Sequence, residues 1–318
     1  MRNTVRFISA MLVAVAAAAH AQVAAGKKIL FIDSYNEGYP WSDGIWKGVQ
    51  SAVKASGATV EAVHMDTKQH PSEEAKKAAA ARVVAEIEKF KPDILIASDD
   101  NASKYVIVPT YKDKDIPVVF DGINWDASMY GYPCRNVTGM LEVSALGALV
   151  EDLKKYSKGP RVGFLASDNE TNRKEVAASD KKFNLALNAA FVTKFADWKQ
   201  KFVELQETND ILIVDVFEGI QDFNKDEAKA FVQKSTKIIT GSTYEDLAEY
   251  SALSMAKIPE EQGKYAANTA LLVLMGKKIS EIPIVANKRF MMIANMKLLR
   301  KLGVQPDANL LNSAKIIE

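Results

Sequence analysis

Short apolar runs rich in Val, Ile and Leu alternate along this chain with longer segments whose apolar residues recur at helical spacing. Continuous apolar runs of this length suit strands that are buried on both faces. Their alternation with helices is typical of a parallel α/β architecture. The runs predict strands at Lys28–Asp33, Thr59–His64, Asp93–Ala97, Pro117–Phe120, Asn136–Leu141, Arg161–Ala166, Ala189–Thr193, Asp210–Asp215 and Lys237–Thr240.

The helical segments divide the pattern into two similar halves. Trp41–Lys54 and the segment from Pro71 to Phe90 belong to the first half, and Val143–Tyr156 opens the second half directly after the short, glycine-containing run at Asn136–Leu141. No low-complexity linker separates the halves. We therefore expect two α/β lobes that are joined by short strands rather than by a flexible tether.

The amino-terminal residues have the pattern of a secretory signal peptide. Arg2 and Arg6 precede an apolar stretch of 13 residues, Phe7 to Ala19, and small residues follow at the expected cleavage site. A membrane-spanning helix needs about 20 residues, so the stretch is too short to be an anchor. We expect residues 1–21 to be removed and the protein to be periplasmic, with an uncleaved anchor as the alternative.

Charge and cysteine content exclude further classes of protein. Removal of residues 1–21 takes away two of the 41 basic residues and none of the 40 acidic ones, which leaves a formal charge of −1. This balance argues against nucleic acid as a partner, because phosphate binding needs a concentrated positive surface. The single cysteine, Cys134, has no partner for an internal disulfide and is expected to be a small buried residue.

Candidate ligand-binding residues follow the predicted strands, because ligands of parallel α/β sheets bind beyond the carboxyl ends of the strands. These positions combine hydroxyls, amides, carboxylates and aromatic rings, a mixture that suits a small polar ligand. The candidates are Ser34, Tyr35, Trp41, Ser98, Asp99, Asn101, Asp121, Gly122 and Asn124 in the first half, and Asp168, Asn169, Phe217, Glu218 and Ser242 in the second.

Each polar candidate has an alternative interpretation. Ser, Asp and Asn that follow a strand commonly cap the next helix, and one residue can serve both purposes. Tyr35, Trp41 and Phe217 are the rings that we expect to cover an apolar or planar part of the ligand. A ligand carboxylate would bind to Ser34 or Ser242, and a ligand ammonium would pair with an aspartate.

No catalytic constellation stands out. The chain has three histidines, of which one lies in the signal segment, and His64 and His70 have only Asp66 nearby, too few ligands for zinc. The G-x-S-x-G, G-x-G-x-x-G and P-loop motifs are absent, and no histidine lies near Cys134 in the sequence. We therefore expect a binding protein that is not an enzyme and holds no metal or cofactor.

Three segments resemble the ABC-transporter substrate-binding proteins of the type I periplasmic fold, in the branch that includes tryptophan and tyrosine binders. They are Asn136–Gly139 with Glu142, the stretch from Ala256 to Lys277 (AKIPEEQGKYAANTALLVLMGK), and Ile293–Ile317. Ser34 and Tyr35 with Trp41 are instead more similar to a subgroup associated with sensor kinases.

The resemblance implies an α/β fold of two Rossmann-like lobes, each with a parallel sheet, joined by a three-strand hinge. It implies crossings near Val137–Glu142, Tyr250–Leu253 and Pro283–Asn287. Lobe 1 would contain residues 22–139 and 252–282, and lobe 2 would contain residues 140–251 and 283–318.

The resemblance also implies a monomeric periplasmic solute-binding protein whose lobes close on a small molecule and deliver it to an ABC permease. Aromatic amino acids are the favoured ligands; other amino acids, modified nucleosides, sugars and osmolytes stay open. The alternative is a sensory protein that presents its ligand-bound form to a membrane receptor or histidine kinase.

Overall fold

The computed structural model describes residues 24–217 and 219–318. The expected signal peptide, residues 1–21, and the candidate residue Glu218 lie outside the described residues. The strands are β1 (Lys28–Asp33), β2 (Thr59–His64), β3 (Ile94–Ser98), β4 (Val118–Asn124), β5 (Val137–Glu142), β6 (Val162–Ser167), β7 (Asn188–Val192), β8 (Ile211–Val214), β9 (Ile239–Ser242), β10 (Leu253–Lys257), β11 (Val285–Ala286), β12 (Phe290–Asn295) and β13 (Lys315–Ile317).

Helices follow most of these strands, as the alternating pattern predicts. One of them, α3, continues without interruption into a π-helix, Ala102–Tyr111. The α-helices are α1 (Pro40–Val53), α2 (Glu73–Phe90), α3 (Asp99–Asn101), α4 (Leu146–Lys154), α5 (Glu170–Phe183), α6 (Phe195–Thr208), α7 (Lys225–Ser235), α8 (Pro259–Leu274), α9 (Met296–Lys301) and α10 (Ala308–Ser313).

The described chain divides into two compact units. Unit 1 runs from residue 24 to Glu142 and includes Pro259–Asn287, and unit 2 comprises Val143–Ile258 and Lys288–Glu318. The chain thus passes between the units three times. The boundaries expected from the sequence, after residues 139, 251 and 282, lie three, seven and five residues before those of the structure, after 142, 258 and 287.

Unit 1 is built on a parallel sheet of six strands in the order β11-β5-β4-β3-β1-β2. Its central strands are apolar on both faces because helices cover both. On one face, α1 and α8 enclose a core that includes Phe31 and Ile45. On the other face, α2 and the π-helix enclose a core around Val83 and Phe120.

Helices α1 and α8 approach each other closely through glycines. A Cβ at Gly48 would lie 2.5 Å from the carbonyl oxygen of Glu260, and a Cβ at Gly263 would overlap the carbonyl of Ile45. Only residues without a side chain allow this distance between the helices. The contact attaches α8, which enters unit 1 late in the sequence, to the first helix of the chain.

Unit 2 contains a sheet of seven strands in the order β13-β12-β10-β9-β8-β6-β7. Its strands pair in parallel, except that β10 and β12 are antiparallel. Because β10 pairs with both β9 and β12, residues 253–257 belong to unit 2, and the second crossing follows that strand. The core of unit 2 centres on Trp198, which is fully buried and stacks near Phe195 and Phe202.

Candidate functional site

Polar and acidic side chains meet at the carboxyl end of the unit 1 sheet. The strand register places Asp33 of β1 beside Ser98 of β3, and Ser98 beside Asp121 of β4. Farther along, Asn124 of β4 lies beside Glu142 of β5. These side chains are buried although they lie at the end of the sheet where the loops begin. Together with Asp99 and Asp100 they form an acidic cluster of five carboxyl groups, which we call the unit 1 site.

Both carboxyl oxygens of Asp33 form hydrogen bonds within the protein. Its Oδ1 accepts hydrogen bonds from the backbone N–H of Tyr35 at 2.9 Å and from the hydroxyl of Ser42 at 2.8 Å. Its Oδ2 lies 2.9 Å from Nδ1 of His64. This hydrogen bond raises the pKa of His64, although partial burial acts in the opposite direction. The carboxylate of Asp33 therefore orients the loop that carries Tyr35.

Ser34 and Asn101 act chiefly as structural connectors. The Ser34 hydroxyl donates to the carbonyl oxygen of Ser98 at 2.6 Å and accepts from the backbone N–H of Ala102 at 2.8 Å. It therefore holds the start of the π-helix against the ends of β1 and β3. The side-chain amide of Asn101 donates to the Thr67 hydroxyl at 2.8 Å, which connects the same helix to the loop after β2.

Asp99 and Asp121 are partly satisfied. The Ser98 hydroxyl donates to Oδ1 of Asp121 at 2.7 Å, and the Tyr35 hydroxyl donates to Oδ1 of Asp99 at 3.3 Å. Within the described residues, the Oδ2 atoms of both aspartates are buried without a hydrogen-bond partner. The two residues are 2% and 0% exposed, respectively, so bulk water does not replace the missing partners.

The electrostatics of the unit 1 site reflect this accumulation of acids. Burial raises the pKa of Asp99 well above its usual value, and the carboxylates of Glu142, Asp100 and Asp121 raise it further. Burial also raises the pKa of Asp121 to about 7, against the opposing hydrogen bond from its neighbouring serine, and Asp33 and Glu142 add to the rise. The site thus favours a positive charge near Asp99 and Asp121.

Asp100 and Asn124 are connected by two hydrogen bonds. Asn124 donates from its backbone N–H at 3.3 Å and from its side-chain amide at 3.2 Å to Oδ2 of Asp100. The other oxygen of Asp100 accepts from the Tyr130 hydroxyl at 2.6 Å. Asn124 therefore fixes the loop after β4 to the start of α3.

Gly122 allows the close approach of β4 to the residues after β3. Its φ of +70° lies in the left-handed region, and a Cβ there would lie 3.1 Å from Oδ2 of Asp99. Its backbone N–H donates to Oε1 of Gln262 at 3.3 Å, and the amide of Gln262 donates to the carbonyl of Leu141 at 3.2 Å. Gln262, which lies on α8, connects β4 and β5 at the site.

Aromatic rings flank the acids of unit 1. Tyr35 is half-buried, and its ring meets that of Tyr39 edge-on at 5.3 Å between centroids. The ammonium group of Lys68 lies 4.7 Å from the Tyr35 centroid and 3.9 Å from the Tyr39 centroid. Trp41 is also half-buried, and it packs against the core under α1 and α8.

The candidate residues of unit 2 are mostly engaged in local structure. Asp168 is paired with the guanidinium of Arg173 through two hydrogen bonds of 2.8 and 2.9 Å, and this pairing lowers the pKa of Asp168. Asn169 caps α5, since its Oδ1 accepts from the backbone N–H of Asn172 at 2.8 Å. Ser242 is buried, and its hydroxyl accepts from the N–H of Tyr244 at 3.3 Å.

Phe217 belongs to the aromatic core of unit 2. Its ring centroid lies 4.5 Å from that of Phe223, 4.9 Å from that of Tyr250 and 5.4 Å from that of Trp198. Only 8% of the residue is exposed. These contacts give the ring a packing role in unit 2.

Several buried polar residues of both units were not among the candidates predicted from the sequence. Asp215 is buried in unit 2, which raises its pKa to about 7, and its Oδ2 accepts from the Thr243 hydroxyl at 2.9 Å. Lys257 is buried nearby and donates to the Tyr244 hydroxyl at 3.1 Å. Asp33 and Asp215 were assigned to the last position of predicted strands. The sequence did contain a signal for both aspartates, because each is a charged residue at the end of a strand that is buried on both faces.

The described residues contain neither a membrane-spanning helix nor a metal-binding cluster. None of their helices has the length and hydrophobicity that a membrane span requires. Among the same residues, no group of three or more His, Cys, Asp or Glu is arranged to hold a metal ion.

Comparison with known families decides the class of protein. A family model described as "ABC transporter substrate binding protein" matches residues 39–317. This chain belongs to the ABC transporter substrate-binding protein family. The resemblance that the sequence motifs indicated is therefore confirmed, and members of this family are typically extracytoplasmic. No curated protein matches the chain by sequence.

Solved structures share the fold of this substrate-binding protein. One is a conserved domain protein from Vibrio cholerae, 17% identical with a TM-score of 0.66. Another, from Streptococcus pneumoniae in complex with L-Trp, is 19% identical with a TM-score of 0.66. A third, the ligand-free, open form of a substrate binding protein with adhesive properties from Clostridium difficile, is 16% identical with a TM-score of 0.69. Each likeness covers 92% of this chain and 99% of the other, and confirms the type I periplasmic binding fold.

Proposed function

We propose that this protein binds a small molecule in the periplasm at the unit 1 site and delivers it to an ABC permease of the inner membrane. The observation that carries the proposal is the pair of buried aspartates, Asp99 and Asp121, each with one carboxyl oxygen that no described residue satisfies. A buried polar group without a partner is costly, and a bound ligand would supply the missing hydrogen-bond donors.

The ligand that we favour is an aromatic amino acid. The half-buried ring of Tyr35 lies beside Asp99, to which its hydroxyl donates, so that an apolar face and a carboxylate occur together. A structural neighbour from Streptococcus pneumoniae is a complex with L-Trp, which supports this class of ligand although the identity is 19%. Binding without turnover agrees with the family and with the absence of a catalytic motif in the sequence.

Delivery to a permease follows from the family rather than from the unit 1 site. The sensory alternative would use the same site and a different membrane partner, and no specific contact in either unit favours it. Secretion through cleavage after residue 21 accounts for the periplasmic location, and it predicts that the mature chain begins at Gln22.

Calorimetry on refolded protein tests the proposal directly. Refolding removes any ligand that was carried through purification, and L-tryptophan, L-tyrosine and L-phenylalanine are then titrated. We expect one of them to bind with a stoichiometry of one and to be recovered unchanged. A deletion strain should lose uptake of the labelled compound, with rescue by the wild-type gene. Absence of binding for all three would reject the aromatic class, and unchanged uptake in the deletion strain would reject the role in import.

A further inference from the structure

We propose that the unit 1 site binds a protonated amine of its ligand at Asp99 and Asp121. This inference rests on the proposed function, since it presumes that a small molecule binds there. It adds the chemical class of the group that the two aspartates recognise, a primary ammonium.

The distribution of hydrogen bonds separates these two acids from their neighbours. Both oxygens of Asp33 and both oxygens of Asp100 accept hydrogen bonds from side chains or backbone of unit 1. Asp99 and Asp121 each use Oδ1 alone, and within the described residues their Oδ2 atoms have no partner. One open acceptor therefore lies on β4 and the other directly after the neighbouring strand β3, and hydrogen-bond donors are missing at both.

The charge at this place has one sign. The charged neighbours that act most strongly on the Asp99 carboxyl through space are all carboxylates: Glu142, Asp100, Asp121 and Asp33. Those that act on Asp121 are Asp33 and Glu142. An ammonium group carries three N–H donors and a positive charge, and so supplies both missing components at once.

Gly122 keeps side-chain atoms away from the open oxygen of Asp99. Gly122 has no side chain, and a Cβ at that position would lie 3.1 Å from Oδ2 of Asp99, so the glycine keeps this oxygen clear. The ring of Tyr35 lies beside the same carboxyl, since its hydroxyl donates to Oδ1 of Asp99 at 3.3 Å. Carboxylate and ring together match an amine attached to an apolar or aromatic body.

Pairs of compounds that differ only in the amine provide the test. The probes are L-tryptophan against indole-3-propionate, tryptamine against 3-ethylindole, and L-leucine against 4-methylpentanoate. Each is titrated into the refolded full-length mature chain by calorimetry at pH 8. We expect the amine to strengthen binding by about tenfold or more in the pair that binds best, because a buried charge pair is lost without it. Equal affinity for the two members of that pair would overturn the inference and leave the proposed function standing.

Variants assign the effect to the two aspartates. Asp99→Asn and Asp121→Asn preserve shape, and asparagine tolerates the positive φ of +68° at position 99. Both should reduce the preference for the amine by about tenfold or more. The matched control is Asp93→Asn, since Asp93 precedes β3 at the opposite end from Asp99 and accepts from Lys27 and Lys28. The control should keep the preference, and retention of the preference in both site variants would overturn the inference.

Two further outcomes complete the test. If none of the six compounds binds to the wild-type chain, the proposed aromatic ligand and the inference both fail. If CaCl₂ without any amine raises the melting temperature of the wild type, but not that of Asp121→Asn, the open oxygens serve a metal ion instead and the inference is overturned.

Discussion

Gly122 and Asp99 lie in direct contact at the unit 1 site, where a Cβ on the glycine would be 3.1 Å from both Cγ and Oδ2 of the aspartate. The glycine also has a φ of +70°, a backbone conformation that residues with a side chain rarely adopt. The contact brings the end of β4 against the start of α3. Because Gly122 has no side chain, the Asp99 carboxyl can lie directly against β4.

Gly122→Ala should disturb both stability and binding. The positive φ and the close contact together should lower the free energy of unfolding by about 1–3 kcal/mol. The displaced Asp99 should also weaken ligand binding. Urea denaturation and calorimetry measure the two effects. Gly219→Ala is the control for strain alone, because Gly219 has a φ of +96° with nothing within 4 Å of its Cβ position. Equal ligand affinity in Gly122→Ala and the wild type would contradict the role assigned to this contact.

The ligand-free protein should lose stability as the pH rises from about 4 to 7. Burial raises the pKa of Asp121 from 3.8 to about 7, so the folded state holds this proton where the unfolded chain has released it. Stability from this group is therefore fully present below about pH 4, is lost progressively as the pH rises from 4 to 7, and is absent above pH 7. The shift corresponds to a loss on the order of 4 kcal/mol.

Asp121→Asn should remove that loss. The variant should be more stable than the wild type at pH 8 and similar to it at about pH 4 or below, as measured by urea denaturation without ligand. Asp93→Asn should behave differently at pH 8, because hydrogen bonds from Lys28 and Lys27 outweigh the effect of burial and lower the pKa of Asp93. A destabilised Asp121→Asn at pH 8 would indicate that the ionised carboxylate is structural.

Phe217→Ala should lower the free energy of unfolding of unit 2. The ring is packed among Phe223, Tyr250 and Trp198, so its removal leaves a cavity in an aromatic core. The cost should be about 3–5 kcal/mol, read from denaturant unfolding followed by near-ultraviolet circular dichroism. A loss of ligand affinity with unchanged stability would instead support the ligand-covering role that the sequence predicted.

Gly48→Ala should destabilise unit 1 even though alanine favours helices. Alanine gains about 1 kcal/mol of helix propensity over glycine. In α1, however, the new Cβ would lie 2.5 Å from the Glu260 carbonyl oxygen and force α8 away. Gln50→Ala, at an exposed position of the same helix, serves as the control and should leave the melting temperature nearly unchanged. An increased melting temperature for Gly48→Ala would contradict the close helix contact.

The sequence predicted the fold well because its central strands, such as β3 and β4, are buried on both faces and read as continuous apolar runs. β1 and β2 have the predicted bounds, and the other predicted strands are displaced by one or a few residues. The antiparallel pairing of β10 with β12 was not predicted, since it depends on contacts between distant segments. The close packing of α1 on α8 was not predicted for the same reason. A glycine within a helix does not indicate which other helix will pack against it.

The site was harder to predict than the fold. Asp99 and Asp121 were selected because they follow apolar runs, and so was Asp168, which forms a surface pair with Arg173. Position after a strand does not distinguish a carboxylate with an open oxygen from one that has found a partner. Gln262 shows the remaining difficulty: it reaches the Gly122 N–H from a helix 140 residues later in the chain.

A thermal-shift screen of the refolded mature protein at pH 8 tests the central claim most directly, namely that this chain binds a small molecule. The panel contains amino acids, sugars, nucleosides and polyamines. A ligand at 100 times its dissociation constant adds about 2.7 kcal/mol of stability, which moves the melting temperature by several degrees. The account predicts such a shift for one class of compound that bears an amine, and its loss in Asp121→Asn. No shift with any compound would contradict the claim that this chain binds a small molecule. An equal shift in wild type and variant would contradict the role assigned to Asp121.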